Sequence, residues 1–312
     1  MIPDLKIKIA GVEFANPIMT ASGCAGYGEE LAQLYPLSKL GALVTKSITR
    51  KPRHGHAPPR TVETPGGMLN AIGLANVGID NFLEKKIPFL EKQKTKVIVN
   101  VAGSTIDEYV YVCSRLADCE RVDMVELNIS CPNVDEGGIE FGSNVEMTEK
   151  SVSEVRKVFK RPIIAKLAPN VTSVVEIAKA AERGGADALS IINSVIGTSI
   201  DIDTYKPHIT NITGGLTGPA IKPIALAMVR DVHRKCKLPI IGIGGIMNYK
   251  DVIEFMLCGA TAVQVGTVLF IDPLAPLAII DGLKKYLKKK KLNSITELIG
   301  KAVTQNVSNT KA

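Results

Sequence analysis

The sequence lacks several patterns that would place it in a common class of protein. No apolar run approaches the roughly 18 residues that a helix needs to cross a bilayer, and residues 1–14, MIPDLKIKIAGVEF, lack the apolar segment of a signal peptide. The cysteines do not show the CxxC spacing of a zinc site, and nothing in their positions indicates a structural disulfide. We therefore expect a cytoplasmic protein with reduced thiols and no metal. The cysteines are Cys24, Cys113, Cys119, Cys131, Cys236 and Cys258.

The excess of basic residues is concentrated in one segment. The formal net charge is +7, and six lysines fall within residues 284–291 with no acidic residue among them. Without these six the balance is about +1, so a general affinity for nucleic acid is not implied. We interpret the segment as the solvated C-terminal end of a helix, where cations are favourable. We expect neither a nucleic-acid partner nor a membrane surface.

A short apolar run, a loop and an amphipathic helix alternate along the whole chain. The predicted strands are 17–22, 42–49, 96–102, 124–131, 162–168, 188–193, 239–244 and 262–267. The predicted helices are 29–39, 79–93, 106–119, 145–159, 172–184, 219–236, 248–258 and 274–290. Several strands are nearly continuous Ile, Val and Leu, as strands covered on both faces require. Glycines within 184–187 and 258–261 are typical of helix ends.

Eight such alternations predict an α/β fold with a single (β/α)8 TIM barrel rather than an open doubly wound sheet. No Ser- or Pro-rich linker divides the chain, so we expect one domain over residues 1–312. Residues 5–14 predict a small N-terminal β-hairpin at the bottom of the barrel. Connections 50–78 and 194–218 are longer than the minimum, and inserted loops after barrel strands usually build the active site.

Glycines at the ends of the last two predicted strands indicate a phosphate site. Gly244 and Gly245 follow the seventh strand, and Gly266 and Thr267 follow the eighth. In barrels of this kind, backbone N–H groups at these two places commonly bind phosphate. A dinucleotide-binding fingerprint is excluded by spacing, because Met247 stands where its third glycine should be.

Polar residues at the other strand ends are consistent with a flavin and a pyrimidine beside that phosphate. Lys46 and Lys166 each interrupt an apolar strand, where an unpaired ammonium would be costly to bury. A flavin would explain both, since a fixed cation favours its negatively charged reduced form. Asn100, Asn128 and Asn193 have amides that suit the alternating donors and acceptors of a pyrimidine, although asparagine is also a common turn residue.

One cysteine is placed to do chemistry. Cys131 leaves the barrel rim before Pro132, where a thiol can act as a base or a nucleophile. Cys24 also follows a strand end, and its position alone does not exclude it. The other four cysteines are interpreted as packing residues on helices.

At these residues the chain resembles the dihydroorotate dehydrogenases over nearly its whole length. The resemblance is carried by ANPIMTASGCAGYGEE, ETPGGMLNAIGLANVG, ELNISCPNVDEGGIEFG, IINSVIGTSID and GGLTGPAIKP. A cysteine in the NISCPN motif resembles the soluble class 1 enzymes, and NAIGLANVG with CPNVDEGG resembles class 1B. Thr20 and Ala25 depart from the common pattern beside the flavin loop.

The resemblance implies the roles of individual residues. One FMN per chain would be held by Ser22, Lys46, Ser47, Asn100, Asn128, Lys166, Ile192, Gly218, Gly244, Gly245, Gly266 and Thr267. The substrate would be held by Lys46, Asn70, Ala71, Ile72, Gly73, Leu74, Asn128, Asn193 and Ser194, with Asn133 as a further candidate. Cys131 would be the catalytic base, which removes a ring proton while the adjacent carbon gives up hydride.

The resemblance also implies a pathway and a partner. The reaction would be the oxidation of (S)-dihydroorotate to orotate in de novo pyrimidine (UMP) biosynthesis. FAD and an iron–sulfur cluster would lie on a second subunit that passes electrons to NAD, in a heterotetramer of two of each chain with a homodimer core.

Three alternatives remain open on sequence grounds. The first is a class 1A-type oxidase that reduces fumarate, and the second is a related FMN-dependent dihydropyrimidine dehydrogenase, although the cysteine-rich modules usual in the latter are missing. The third is a lyase that uses Lys166 as a Schiff-base amine.

Overall fold

A computed structural model describes residues 3–129 and 144–304 of the chain. Eight parallel strands form a closed barrel in which consecutive strands pair and the eighth pairs with the first, so the predicted (β/α)8 TIM barrel is confirmed. The barrel strands are β1 (Ile18–Thr20), β2 (Ala42–Val44), β3 (Lys96–Val101), β4 (Met124–Leu127), β5 (Ile163–Leu167), β6 (Ala188–Ile191), β7 (Ile240–Ile243) and β8 (Ala260–Val265).

Helices cover the outside of the barrel. They are α1 (Gly78–Asn81), α2 (Ile87–Glu91), α3 (Ile106–Ala117), α4 (Val145–Val158), α5 (Val174–Arg183), α6 (Lys222–His233), α7 (Tyr249–Leu257), α8 (Val268–Ile271), α9 (Ala275–Lys290) and α10 (Lys301–Thr304). The glycine stops are confirmed, since α5 and α7 end just before Gly184 and Gly259. None of the helices in the described ranges is long and apolar enough to span a membrane.

Two helices that the sequence predicts as continuous are interrupted in the structure. The segment 29–39 holds two short 3-10 turns, Leu31–Gln33 and Leu37–Lys39, because Pro36 between them lacks an N–H and restricts the residue before it. The segment 79–93 is interrupted by a π-helical turn, Phe82–Lys86. Pro88 explains it, since the proline ring would collide with a carbonyl one turn earlier in a regular helix.

The N-terminal hairpin lies at the bottom of the barrel, as predicted. Strands Ile7–Ile9 and Val12–Phe14 pair antiparallel and lead directly into the N-terminal end of β1. Ile9 and Phe14 are buried. The chain before the hairpin is fixed by hydrogen bonds between Asp4 and the backbone of Asn293 and Ile295 after α9.

The two long connections form a small sheet of their own above the barrel. Strands Thr61–Thr64 and Gly67–Asn70 come from the loop after β2, and Val195–Gly197 and Gly214–Thr217 come from the loop after β6. Antiparallel pairing joins Gly67–Asn70 to Gly214–Thr217. Both insertions therefore meet at the C-terminal end of the barrel.

The basic segment at the end of α9 is solvated. All six lysines in residues 284–291 are exposed, and Lys288 to Lys290 occupy the last turn of the helix. Their charges lie where a helix C-terminus stabilises cations. The interpretation as a helix end is confirmed.

Candidate active site

The predicted site residues come together at the C-terminal ends of the barrel strands. Ser22 follows β1; Lys46 and Ser47 follow β2; Asn100 lies in β3; Asn128 follows β4; Lys166 lies in β5; Ile192, Asn193 and Ser194 follow β6; Gly244 and Gly245 follow β7; Gly266 and Thr267 follow β8. Cys131 and Asn133 lie outside the described residues. This is the end at which catalytic residues of such barrels are found.

Three glycine segments meet on one side of the mouth. A Cβ atom added to Gly245 would lie 2.8 Å from the carbonyl oxygen of Gly218, and one added to Gly218 would lie 3.4 Å from Cγ2 of Thr267. A Cβ on Gly266 would lie 3.2 Å from both Ala21 Cβ and Cys24 Sγ. Side chains at these positions would fill the concave surface that the backbone leaves open.

Backbone donors in this concave surface are available to an anion. Within residues 3–129 and 144–304, no protein acceptor is bonded to the N–H groups of Gly245, Ile246 and Thr267. The N-terminus of α7 is instead capped internally, because Asn248 and Asp251 accept from backbone N–H groups there. The available donors are therefore those of the loops and of the start of α8, and they suit a phosphate group.

A buried polar network fills the barrel interior beneath the mouth. Ser47 Oγ donates to Asn100 Oδ1 at 2.6 Å, and Asn100 Nδ2 donates to Glu126 Oε1 at 2.7 Å. Gln264 Nε2 donates to the other oxygen of Glu126 at 2.5 Å. The Nζ atom of Lys166 lies 3.7 Å from Glu126 Oε1, and both side chains are buried. The buried ammonium thus has a buried carboxylate as its counterion.

The amides predicted to bind a pyrimidine contact one another. Asn193 Nδ2 lies 3.4 Å from Asn128 Oδ1, and the side-chain oxygen of Asn193 accepts from the N–H of Ser194 at 2.9 Å. The backbone of Asn128 is fixed by the Tyr109 hydroxyl of α3, which donates to its carbonyl at 2.7 Å. These two carboxamides, which follow β4 and β6, offer donors and acceptors to one planar ring.

The segment 70–74 forms the wall above this pair of amides. Asn70 Nδ2 donates to the carbonyl of Gly215 at 3.0 Å, which couples the two long loops. Asn76 Nδ2 donates to the carbonyl of Leu74 at 2.7 Å. Arg60 is held in the same wall by the carbonyls of His54 and His56. The wall is therefore built from backbone that is already hydrogen-bonded.

Lys46 does not lie within a strand, in contrast to the prediction. It lies beyond the end of β2 and is half-buried, whereas Lys166 lies within β5 and is buried. Burial lowers the pKa of the Lys46 ammonium; a nearby Cys24 thiolate would raise it, and the Arg60 guanidinium lowers it further. Arg60 and Lys46 give this side of the mouth a positive field that suits an anionic ligand.

Cys24 lies among these groups but is poorly suited to act as a base. Burial raises the pKa of its thiol to about 11, although Lys166 and Lys46 act in the opposite direction. The thiol is therefore protonated at neutral pH, when a general base needs a pKa near the working pH. Position alone leaves Cys24 open as an alternative to Cys131, and the raised pKa of its thiol argues against it.

Native alkylation tests this protonation state. With a pKa of about 11, about one Cys24 thiol in a thousand is ionised at pH 8, so iodoacetamide should leave Cys24 unmodified in the folded protein. Peptide mass spectrometry measures the modification, with urea-unfolded protein as the control that should react fully. Labelling of folded Cys24 at the rate of a free thiol would show that the two lysines outweigh burial.

Three residues of the site were missed in the sequence. Glu126 and Gln264 each interrupt an apolar strand, the same signal that identified Lys166, and could have been found by that rule. Arg60 gave no signal, because its approach to Lys46 depends on how the long loop folds back. Among the described residues, no group of three or more His, Cys, Asp or Glu side chains is arranged to hold a metal ion.

The fold and the site together define a (β/α)8-barrel enzyme with a glycine-lined concave surface, a buried cation and paired amides at its mouth. Residues 4–287 match the model of the family described as dihydroorotate dehydrogenase. The chain belongs to this family.

Curated relatives are similar over almost their whole length. The chain is 51% identical over 302 residues, 97% of this chain and 99% of the relative, to a protein of Geotalea uraniireducens. It is 52% identical over 298 residues, 96% of this chain and 98% of the relative, to proteins of Citrifermentans bemidjiense and Geobacter sulfurreducens. All three relatives are named dihydroorotate dehydrogenase B (NAD(+)), catalytic subunit.

Proposed function

We propose that this chain oxidises dihydroorotate to orotate in pyrimidine biosynthesis, as the catalytic subunit of an NAD-linked enzyme. Membership of the dihydroorotate dehydrogenase family implies a flavin cofactor, and the proposal names it as FMN. Residues 1–312 would form one FMN-binding barrel domain. The observation that carries it is the convergence, at one barrel mouth, of the glycines, the buried ammonium of Lys166 and the paired amides of Asn128 and Asn193.

The cofactor would be held from three sides. Its phosphate would accept from the backbone at Gly244, Gly245, Gly266 and Thr267, with Gly218 closing the same surface. Ser22, Ser47, Asn100, Asn128 and Ile192 would line the remainder, and Lys46 and Lys166 would supply cations beside the ring. When bound, FMN supplies the two-electron acceptor of the reaction.

The chain's own residues would orient the substrate and move its proton. Asn128 and Asn193 would bind the pyrimidine through its amide groups, and the wall of Asn70 to Leu74 with Ser194 would cover it. The positive field of Lys46 and Arg60 would attract the substrate carboxylate. Cys131 would remove the proton from the ring methylene as the adjacent C–H bond gives up hydride.

The electrons would leave through a partner. The name catalytic subunit, carried by the relatives, implies a second subunit in those proteins. We extend this to the present chain as an FAD- and iron–sulfur-containing subunit, in a cytoplasmic heterotetramer of two of each chain built on a homodimer.

An anaerobic absorbance spectrum tests the proposal. The purified chain, reconstituted with FMN, should show a flavin spectrum that bleaches on addition of dihydroorotate and not on addition of uracil or dihydrouracil. Reoxidation of the reduced flavin by NAD should need the partner subunit. Fumarate should not reoxidise the flavin of the isolated chain. A yellow protein that dihydroorotate does not bleach would overturn the substrate assignment. Rapid reoxidation of the isolated chain by fumarate would overturn the NAD linkage.

A further inference from the structure

The interior of the barrel contains a fully buried carboxylate that the proposed reaction does not use. Glu126 is 0% exposed and extends from β4. It accepts from Gln264 of β8 at 2.5 Å. Strands β4 and β8 lie on opposite sides of the eight-stranded barrel, so this hydrogen bond crosses the interior. The carboxylate therefore lies close to the barrel axis.

The same carboxylate contacts two residues that would hold the cofactor. Asn100 Nδ2 donates to Glu126 Oε1 at 2.7 Å, and Lys166 Nζ lies 3.7 Å from that oxygen. Among the described residues, Lys166 is the one cation in an ion pair with Glu126. Asn128, a proposed contact of both cofactor and substrate, lies two residues further along the same strand direction and hence on the same face.

Stability does not account for a charged group here. Barrel interiors are usually filled by Val, Ile and Leu, and a buried ion pair is often no more stabilising than apolar residues of the same size. The same interior contains further polar atoms without a partner among the described residues, Ser190 Oγ and Gln264 Oε1. The polar layer beneath the mouth thus calls for an explanation in terms of the site.

We infer that Glu126 is a positioning residue: it holds Lys166 and Asn100 beneath the flavin and offsets the charge of Lys166, thereby lowering the reduction potential of bound FMN. The inference rests on the proposed function. A cation beside a flavin favours the reduced form, which carries negative charge. A fixed carboxylate paired with that cation reduces its effect.

The midpoint potential of bound FMN, measured by anaerobic dye titration, tests the inference. Glu126→Gln keeps the size of the side chain but removes its charge and replaces one of its two accepting oxygens with an NH2 donor, from which Gln264 can accept by turning its amide. We expect it to favour reduced over oxidised FMN by about tenfold, which corresponds to a potential about 30 mV more positive for a two-electron couple.

Two further variants separate charge from packing. Glu126→Asp keeps the charge but shortens the side chain, so its potential should stay near that of the wild type even if its melting temperature falls further than that of Glu126→Gln. Ser190→Ala removes a buried hydroxyl of the same interior without a change in charge, and should leave the potential unmoved. A purely structural role predicts instead that the potential follows the loss of stability.

Each remaining outcome decides the matter. An unchanged potential in Glu126→Gln, or an equal shift in Ser190→Ala, would overturn the inference. If Glu126→Gln retains no FMN, the outcome depends on Glu126→Asp. A Glu126→Asp variant that binds FMN with the wild-type potential supports the inference. Loss of FMN from both variants overturns it. A wild-type chain that binds no FMN would refute the proposed function itself, whereas an unmoved potential in a wild-type-like holoenzyme refutes only the role of Glu126.

Discussion

Replacing Cys131 with alanine is expected to slow the reduction of bound FMN by dihydroorotate by about 10²- to 10⁴-fold, the usual contribution of a general base. The ring proton would then have no acceptor at the rim. The FMN content should be unchanged, because Lys166 and the glycines proposed to bind the phosphate are not altered. Anaerobic stopped-flow measurement of flavin bleaching gives the rate directly, without the electron-accepting partner.

The matched comparison is Cys24, the cysteine that the structure places at the mouth. Cys24→Ala should slow the same step by less than about tenfold, since burial raises the pKa of that thiol to about 11 and keeps it protonated. A large loss in Cys24→Ala with normal rates in Cys131→Ala would exchange the two assignments. Loss of FMN from Cys131→Ala would show a structural role instead.

The pH profile gives an independent measure of the base. An ordinary thiol has a pKa near 8.5, so the rate of flavin reduction in the wild type should rise with pH until Cys131 is ionised. Cys131→Ser should keep weak activity that is shifted to higher pH, because a hydroxyl is a much weaker acid than a thiol. A serine variant with an unchanged profile would mean that another group titrates.

The features predictable from the sequence are those encoded locally. Strands rich in Ile and Val, glycine stops after α5 and α7, and glycines at the ends of β7 and β8 all depend on residues within a few positions of one another. The barrel then brings the strand ends together without further information, because all eight parallel strands point the same way.

The features that could not be predicted depend on distant pairings. The hydrogen bond between Glu126 and Gln264 joins residues 138 apart in sequence and is visible only once the barrel closes. The effect of Arg60 on Lys46 requires a loop strand to pair with another strand about 145 residues away, as Asn70 does with Gly215. The apolar period predicts continuous helices through Pro36 and Pro88, but the missing N–H and the ring of each proline interrupt them.

Replacing Gly245 with alanine should remove FMN from the protein, with a dissociation constant raised at least about 100-fold. The added Cβ would lie 2.8 Å from the carbonyl oxygen of Gly218 and 3.0 Å from the backbone N of Lys222. Because backbone atoms cannot rotate away, residues 218–222 would have to shift, and the surface proposed to bind the phosphate would change shape. Fluorescence titration of the apoprotein with FMN measures the affinity.

The control separates this local effect from backbone strain. Gly245 has φ of +71° and Gly11 has φ of +83°, so alanine at either position adopts the left-handed region and loses about 1–2 kcal/mol of stability. A Cβ on Gly11 would meet no heavy atom within 4 Å, and Gly11 lies in the hairpin at the opposite end of the barrel. Gly11→Ala should therefore lower the melting temperature and bind FMN normally. Equal loss of FMN in both variants would mean that general destabilisation releases the cofactor, and the phosphate would have to be sought elsewhere on the rim.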